Sequence, residues 1–258
     1  MASSIHSTAI IHPGAEIGEG CEIGPYCVIG PGVRMGPGNR LHSHVVLDGD
    51  TRLGLGNEIF PFACIGGRTQ DLKWQGGHTR VEIGDRNTFR EYVTIHAATA
   101  DGGATVVGSY NNLLAYTHIA HDCHLGNHII MSNLAQIAGH VVIEDHAILG
   151  GMSAVHQFSR VGRLAMVAAC TPVRRDVAPF MLVSGDPAET VKANLVGLER
   201  AGLDPETIRS IGQAHRILFR DGLSVPNAIA RLEGELQSSP ELLHLIDFVK
   251  TSERGVTK

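Results

Sequence analysis

The sequence repeats an apolar residue at every sixth position through most of its first two thirds. The series fills residues 5–65, resumes at 83–95 and runs again through 107–173. A helix would require apolar residues at a spacing of about 3.6, and the 31 glycines of the chain also oppose one. A period of six instead predicts short strands that meet at tight corners, as in the hexapeptide repeat of a parallel β-helix.

In the left-handed form of this fold, three hexads complete one coil. Each residue therefore lies beneath the residue three hexads later, about 4.8 Å away. We predict a mainly β domain, a left-handed parallel β-helix of hexapeptide repeats, over residues 1–186. The series is interrupted at residues 71–82 and 101–106, which are predicted to form loops. Loops that leave a regular solenoid often carry function, although a tolerated insertion is the alternative.

A C-terminal α-helical domain is predicted over residues 187–258. The segment "AETVKANLVGLERAG" (188–202) has a helical pattern, and the Asp-Pro-Glu sequence at 204–206 supplies the N-cap, proline and acidic first turn of a second helix. Two further helices are expected after Ser224 and Ser239. Together these helices would cover the exposed end strand of the β-helix.

The composition narrows the function classes. A formal net charge of −5 argues against wholesale nucleic-acid binding. No apolar run is long enough for a membrane span and no export leader is apparent, so we expect a cytoplasmic protein without a membrane span. The five cysteines form no CxxC pair and are expected to be reduced.

Four histidines crowd the stretch "YTHIAHDCHLGNH", and the predicted stacking gives them different neighbours. His121 should lie beneath Gly139 and then Gln157. Asp122, the next residue, should lie beneath His140. A glycine above the His121 ring would leave open space and a backbone N–H beside the imidazole.

The same stacking divides the other histidines into two groups. The group expected to converge on His121 comprises His118, His140 and His156. The group left to ordinary solvent contacts comprises His124 and His128.

Two kinds of chemistry suit such a site. A neutral imidazole oriented by a carboxylate, here His121 with Asp122, is what a general base requires near pH 7. The Gly139 N–H could stabilise a developing oxyanion. Alternatively, three histidines could hold Zn²⁺ with an open fourth position, as in the gamma-class carbonic anhydrases. A scaffold without chemistry is the remaining alternative.

Five motifs carry a resemblance to a known family. They are "TQDLK" (69–73), "THIAHDC" (117–123), "IAGHV" (137–141), "ILGGMSAVHQF" (148–158) and "NLVGLERAG" (194–202). In this order they resemble the acyl-[acyl-carrier-protein]:UDP-N-acetylglucosamine O-acyltransferases, which carry out the first step of lipid A synthesis. The likeness covers nearly the whole chain, including both interruptions and the helical tail.

The resemblance implies an activity and its partners. An (R)-3-hydroxyacyl group would pass from acyl carrier protein to the 3-hydroxyl of UDP-N-acetylglucosamine, by direct attack without metal or cofactor. The acyl donor is carried on the phosphopantetheine of the carrier protein. The family is a homotrimer with active sites between neighbouring β-helices. A related acyltransferase with a 3-amino sugar as acceptor is the nearest alternative.

The resemblance also assigns roles to individual residues. His121 matches the general base, Asp122 the group that orients it, and Gly139 the oxyanion donor. The residues that match the sugar pocket are Asp71, Lys73, His118, His140 and Gln157. Those that match the acyl and pantetheine side of the cleft are Gly151 and His156.

Three positions concern the nucleotide and the acyl chain. Asn194 and Arg200 match residues that contact the nucleotide, where a guanidinium suits a diphosphate. Val196 stands where relatives often carry an acidic residue, so it is given no contact. Ala169 matches a position that limits acyl-chain length, and its methyl group implies a chain of intermediate to long length.

Basic residues provide a candidate surface for the acidic carrier protein. Arg216 and Arg220 are four residues apart and should share one helical face. Arg174 and Arg175 directly follow Val173, the last residue of the repeat. Charge complementarity predicts that these four arginines meet the carrier, and ordinary solvated arginines are the alternative.

Overall fold

The chain winds as a triangular prism whose three faces are parallel β-sheets, in a computed structural model that describes residues 2–258. From β1 to β26 successive strands fall on successive faces, so within this range a strand pairs with the third strand after it. Sheet A contains β1 (Ser4–Ile5), β4 (Glu22–Ile23), β7 (Arg40–Leu41), β10 (Glu58–Ile59), β13 (Thr88–Phe89), β16 (Asn112–Leu113), β19 (Ile130–Met131), β22 (Ile148–Leu149), β25 (Met166–Val167), β27 (Met181–Ser184) and β28 (Glu189–Ala193).

The other two faces are built in the same way. Sheet B contains β2 (Ile10–Ile11), β5 (Val28–Ile29), β8 (Val46–Leu47), β11 (Cys64–Gly67), β14 (Thr94–His96), β17 (His118–Ile119), β20 (Gln136–Ile137), β23 (Ala154–Val155) and β26 (Pro172–Val173). Sheet C contains β3 (Glu16–Ile17), β6 (Arg34–Met35), β9 (Asp50–Leu53), β12 (Arg80–Ile83), β15 (Ala104–Val107), β18 (His124–Leu125), β21 (Val142–Ile143) and β24 (Arg160–Val161).

The six-residue repeat sets both the core and the register. In most two-residue strands the first side chain points outward and the second, the repeated apolar residue, is buried. In the regular coils the paired residues are 18 positions apart, as with Leu125 and Ile143. The interior is therefore a continuous column of aliphatic side chains, and its burial is the main stabilising contribution to the fold.

A ladder of buried asparagines lines the interior edge between sheets C and A. The side-chain oxygen of Asn39 accepts the backbone N–H of Asn57 at 2.9 Å, and Asn57 accepts the N–H of Asn87 at 2.9 Å. Asn87 in turn accepts the N–H of Asn111 at 2.9 Å. Each amide thus supplies an acceptor to the corner of the next coil, where the backbone turns away from the sheet ladder.

Both interruptions leave the prism at the edge between sheets B and C, but their bounds differ from the prediction. The chain leaves after β11 and returns at β12, and it leaves again after β14 and returns at β15. The expected loops at 71–82 and 101–106 were therefore placed too late, because residues 80–82 and 104–106 belong to strands. Val81 and Thr105 are buried inside the prism, and the four-residue strands around them pair in full.

The C-terminal region contains four helices, α1 (Leu195–Arg200), α2 (Pro205–Phe219), α3 (Val225–Glu235) and α4 (Pro240–Lys250). The helix predicted over 188–202 is wrong in its first part, because Glu189–Ala193 forms β28, antiparallel to β27. Pairing with β28 satisfies the otherwise free edge of β27. The β-helix itself also continues past Val173, where the repeat ends, since β27 pairs in parallel with β25.

The helices are fastened to the last coils by packing and by one buried ion pair. Phe180 and Leu164 of the final coils belong to the same apolar cluster as the helices. The Arg160 guanidinium lies 3.1 Å from the Asp176 carboxylate, which is 2% exposed, and it also donates to the Phe248 carbonyl at 2.8 Å. The proposed domain boundary between residues 186 and 187 falls in the connection from β27 to β28.

Among residues 2–258, no helix combines the length and the apolar character that a membrane span requires.

We predict that Asn57→Ala lowers the free energy of unfolding by about 3 kcal/mol, because it removes the acceptor of two Asn87 donors and leaves buried polar groups unpaired. Chemical denaturation followed by circular dichroism measures the change. Asn112→Ala is the matched control, because Asn112 is exposed on β16, and we expect a change within about 0.5 kcal/mol. Equal losses in the two variants would contradict a stabilising role for the ladder.

Candidate active site

The His121–Asp122 pair lies at the edge of the prism between sheets B and C. His121 Nδ1 lies 2.8 Å from Asp122 Oδ2. The same carboxylate oxygen accepts the Thr99 N–H at 3.0 Å, and the Asp122 N–H donates to Thr105 Oγ1 at 2.9 Å. Because an ionised carboxylate only accepts hydrogen bonds, this arrangement places the proton on Nδ1 and leaves His121 Nε2 as a free acceptor.

Gly139 lies directly over the His121 ring. A Cβ atom at this position would collide with the imidazole, so the coil above must carry a glycine for the ring to occupy its place. The vertical stacking predicted from the repeat is confirmed here, since the His140 N–H donates to the His121 carbonyl at 3.0 Å and the Phe158 N–H donates to the Gly139 carbonyl at 3.1 Å.

A cavity of about 660 Å³ opens in front of this pair. The two loops that leave the same edge supply one wall, and His140 and Gln157 from the coils above supply another. On the first loop, Asp71 Oδ2 lies 3.9 Å from His121 Nε2. The predicted residues that line this one cavity are Asp71, Lys73, His121, Asp122, His140 and Gln157.

His140 is held between two partners. Its ring stacks on Phe158 with centroids 4.6 Å apart, and its Nε2 lies 3.7 Å from Asp122 Oδ2. The His140 ring also meets His121 edge-on, with centroids 5.3 Å apart. Its ring therefore borders the His121–Asp122 pair from the coil above.

His118 lies on β17, and a second histidine that the sequence did not predict accompanies it. Burial, with the neighbouring His96 and His121, lowers the pKa of His118 to about 4. His118 is therefore neutral near pH 7 and bonds Thr94 Oγ1 at 2.8 Å. His96 meets the His118 ring edge-on at 4.9 Å, and burial together with His121 lowers its pKa as well.

Sequence reasoning missed His96 and Thr99 because they sit beside the second insertion. Partners on β14 and β17 are 24 residues apart, as with Thr94 and His118, so stacking by the regular interval does not align them. The sequence did contain one indication of His96. It directly follows the repeat residue Ile95, and so it lies where the strand ends and the corner begins.

The remaining predicted residues divide among all three edges of the prism. His156 lies on the same edge as His121 and is exposed. Gly151 and Ala169 follow β22 and β25 and so lie on the edge between sheets A and B. Asn194 and Arg200 lie beside the edge between sheets C and A, where they line a cavity of about 560 Å³. One chain does not bring these groups together.

The groove that contains Asn194 and Arg200 has an aromatic floor. His128, expected to make only ordinary solvent contacts, stacks between Tyr110 at 5.0 Å and His146 at 4.7 Å, because left-handed corner residues of successive coils point outward together. Asn194 is buried, donates to the Leu164 carbonyl at 2.9 Å and accepts the N–H of a residue in α1.

Of the predicted carrier-binding arginines, Arg220 is held by backbone carbonyls and Arg216 forms a surface ion pair. Arg220 donates to the carbonyls of Thr190 and Val191 at 3.1 and 2.8 Å, so it links α2 to β28. Arg216 lies 3.5 Å from Asp221.

Cys123 and the histidine cluster bear on two other kinds of chemistry. Burial raises the pKa of the Cys123 thiol to about 12, so it does not supply a thiolate nucleophile near neutral pH. His121, Asp122 and His140 each offer one ligand atom within 4.8 Å of the others. That spacing could admit a metal ion, although His121 Nδ1 already bonds Asp122.

The six-residue repeat and the β-helix that it forms place the chain in the hexapeptide transferase class. The family model described as bacterial transferase hexapeptide matches residues 2–37 and 14–49. The model described as UDP N-acetylglucosamine O-acyltransferase, domain 2, matches residues 176–257. The chain belongs to the acyl-[acyl-carrier-protein]–UDP-N-acetylglucosamine O-acyltransferase family.

Two curated relatives support this family assignment. The enzyme of that name from Thermodesulfovibrio yellowstonii is 48% identical over 257 residues, covering 99% of this chain and 100% of its own. The one from Anaeromyxobacter sp. is 52% identical over 194 residues, covering 75% of this chain and 76% of its own.

Two solved structures confirm the left-handed parallel β-helix. The Acinetobacter baumannii protein has a TM-score of 0.95 at 44% identity, covering 98% of this chain and 99% of its own. The UDP-N-acetylglucosamine acyltransferase of Bacteroides fragilis has a TM-score of 0.96 at 39% identity, covering 98% and 100%.

We predict that His118 makes folding depend on pH. Its pKa is about 4 in the folded protein and about 6.5 in the unfolded chain, so the unfolded chain binds more protons between these values. The contribution of neutral His118 to the free energy of unfolding is fully present above about pH 6.5. It falls by up to about 3 kcal/mol as the pH decreases towards 4.

Denaturation of wild type and His118→Gln at one protein concentration, from pH 7 to pH 4, measures this contribution. The stability of the variant should fall less steeply with acid. His124→Gln, which changes an exposed histidine, should keep the wild-type slope. Identical slopes in wild type and His118→Gln would contradict the assignment.

Proposed function

We propose that this protein transfers an (R)-3-hydroxyacyl group from acyl carrier protein to the 3-hydroxyl of UDP-N-acetylglucosamine, the first step of lipid A synthesis. The observation that carries the proposal is the free Nε2 of His121, fixed by Asp122 and facing the cavity. The names of relatives that match across whole chains support the same substrates.

The reaction is a direct attack on a thioester. His121 Nε2 takes the proton of the sugar hydroxyl as its oxygen bonds to the thioester carbonyl carbon. The Gly139 N–H donates to the oxyanion of the tetrahedral intermediate. The carbon–sulfur bond then breaks, and the leaving thiolate takes the proton from His121. Asp122 stabilises the imidazolium that exists between these two proton transfers.

Four other residues of the cavity, together with His118 on the neighbouring strand β17, position the sugar. His118 and His140, with Gln157, Asp71 and Lys73, form the sugar pocket in this proposal. A neutral His118 can accept and donate hydrogen bonds without adding charge, which suits an uncharged sugar ring. Lys73 adds one positive charge to a cavity otherwise rich in acceptors.

A homotrimer completes the site in this proposal. Asn194 and Arg200 would contact the nucleotide, Gly151 and His156 the acyl and pantetheine side, and Ala169 would limit chain length to an intermediate to long acyl group. Their division over different edges supports a site shared between copies. The loop residue Leu72, whose side chain is 100% exposed, is then covered by a neighbouring chain.

Neither a metal nor a cofactor has a step in this mechanism, since the thioester supplies an activated acyl group. We also place the protein in the cytoplasm, where its donor is made. The five unpaired cysteines suit that reducing compartment.

His121→Ala should lower transfer by about a hundredfold to ten-thousandfold, the usual contribution of a general base. The assay follows hydroxyacyl transfer from carrier protein to UDP-N-acetylglucosamine, with and without a chelator. Transfer by wild type should not respond to the chelator. His124→Ala is the matched control, because it removes an exposed histidine from the same stretch and should retain activity.

Two outcomes would overturn this proposal in favour of the alternatives. Loss of activity on chelation, with carbon dioxide hydration by the metal-loaded protein, would indicate a zinc hydratase built on His121, Asp122 and His140. Transfer to the 3-amino analogue of the sugar and not to the 3-hydroxyl would indicate an amide-forming relative.

Shared sites predict complementation between inactive variants. His121→Ala and Arg200→Ala homotrimers should each be nearly inactive, whereas subunits unfolded together and refolded as mixed trimers should regain activity. Some interfaces then combine an intact His121 from one copy with an intact Arg200 from its neighbour. No recovery in mixtures shown by mass spectrometry to contain both subunits would contradict the shared site.

A further inference from the structure

Three arginines gather at the C-terminal end of the edge that carries His121. Arg174 and Arg175 directly follow β26, which pairs above β23. They therefore begin the corner one coil above His156 and Gln157. Both side chains are exposed. The third guanidinium belongs to Arg254, 80 residues away in sequence from Arg174.

The C-terminal tail fixes Arg254 in this place. The Asp176 N–H donates to the Gly255 carbonyl at 3.1 Å, and the Thr257 N–H donates to the Asp176 carbonyl at 2.8 Å. Ser252 Oγ also donates to the buried Asp176 carboxylate at 2.7 Å. These bonds hold the tail along the last corner on both sides of Arg254.

The Arg254 side chain extends from the tail to His156 and Arg174. One of its terminal nitrogens lies 3.5 Å from the Arg174 carbonyl and 3.4 Å from His156 Nδ1. The shorter contact of that His156 nitrogen, 3.1 Å to the Gln157 carbonyl, makes Nδ1 the donor there. The guanidinium therefore lies beside the imidazole without donating a hydrogen bond to its Nδ1, and the Arg254 side chain is exposed.

The cluster has more positive charge than its surroundings neutralise. Arg174 lies 3.5 Å from Asp186, but the two side chains are 65% and 63% exposed, and such surface pairs contribute little. Arg220, by contrast, is engaged by backbone carbonyls of β28. Guanidinium groups bind phosphate oxygens by paired hydrogen bonds.

The distance from His121 to Arg175 fits the length of a phosphopantetheine arm. Arg175 is three coils above His121, which is roughly 14 Å at the usual strand spacing. The backbone of a phosphopantetheine arm, from its sulfur to its phosphate, has about as many atoms as four extended residues, which span roughly 14 Å. If the thioester lies at His121 and its arm extends along this edge towards Arg175, the phosphate of the arm reaches the arginines.

We propose that Arg174, Arg175 and Arg254 form the binding site for the phosphodiester that joins the phosphopantetheine arm to the acidic carrier protein. This inference rests on the proposed function and assigns the docking of its donor. It places the carrier at the end of the cleft next to the tail, and it leaves Arg220 with a structural role.

The test compares donors with and without the phosphate. For Arg174→Gln/Arg175→Gln and for Arg254→Gln, we expect the KM for hydroxyacyl carrier protein to rise by about tenfold or more, the effect of losing a charge-assisted hydrogen bond. The KM for UDP-N-acetylglucosamine should not change. The ratio of kcat/KM for the carrier donor to kcat/KM for hydroxyacyl-pantetheine, which lacks the phosphate, should fall by the same factor.

Arg209→Gln is the matched control, because it removes an exposed arginine from α2 and should leave the KM for the carrier unchanged. An unchanged KM in the cluster variants would overturn the proposal. A rise confined to UDP-N-acetylglucosamine would assign the arginines to the sugar diphosphate instead.

Failure of the proposed function can be distinguished from failure of the site. If wild-type protein transfers no acyl group, calorimetric titration with holo carrier protein still tests the docking surface. Binding that is weakened about tenfold in the double variant supports the site, and equal binding contradicts it.

Discussion

The fixed vertical register of the coils is the constraint on which the rest of the structure depends. Each coil donates its backbone N–H groups to the carbonyls of the next coil, and a buried apolar residue at every sixth position holds that register. A slip of one residue would turn the aliphatic column outward. The register therefore determines which side chain stands over which, including Gly139 over His121.

This constraint explains how much of the site could be predicted. Where coils have the regular length, stacking by three hexads correctly placed Gly139 above His121 and His140 beside Asp122. Where the chain contains insertions, paired residues are no longer three hexads apart, so stacking by that interval missed His96 and Thr99. The bond from Thr99 to Asp122 depends on the shape of a loop, which no repeat encodes. The strand β28 was likewise missed, because the free edge of β27 imposes it from outside the local sequence.

The proposed sharing of the site between chains follows from where its parts lie on the prism. The residues proposed for proton transfer, for the nucleotide and for acyl-chain length lie on three different edges of one prism. Placing two prisms side by side brings different edges together without any conformational change. The helical domain contributes to this arrangement by holding Asn194 and Arg200 on one edge, while its tail holds Arg254 on another.

The central claim is that His121, fixed by Asp122, is the base for the sugar hydroxyl in a cavity formed between copies. A crystal structure of the protein with bound UDP-N-acetylglucosamine tests it most directly. The account predicts the 3-hydroxyl oxygen within about 3.2 Å of His121 Nε2, with the nucleotide against Arg200 of a neighbouring copy. A sugar bound away from His121, or a metal ion held between His121 and His140, would contradict the account.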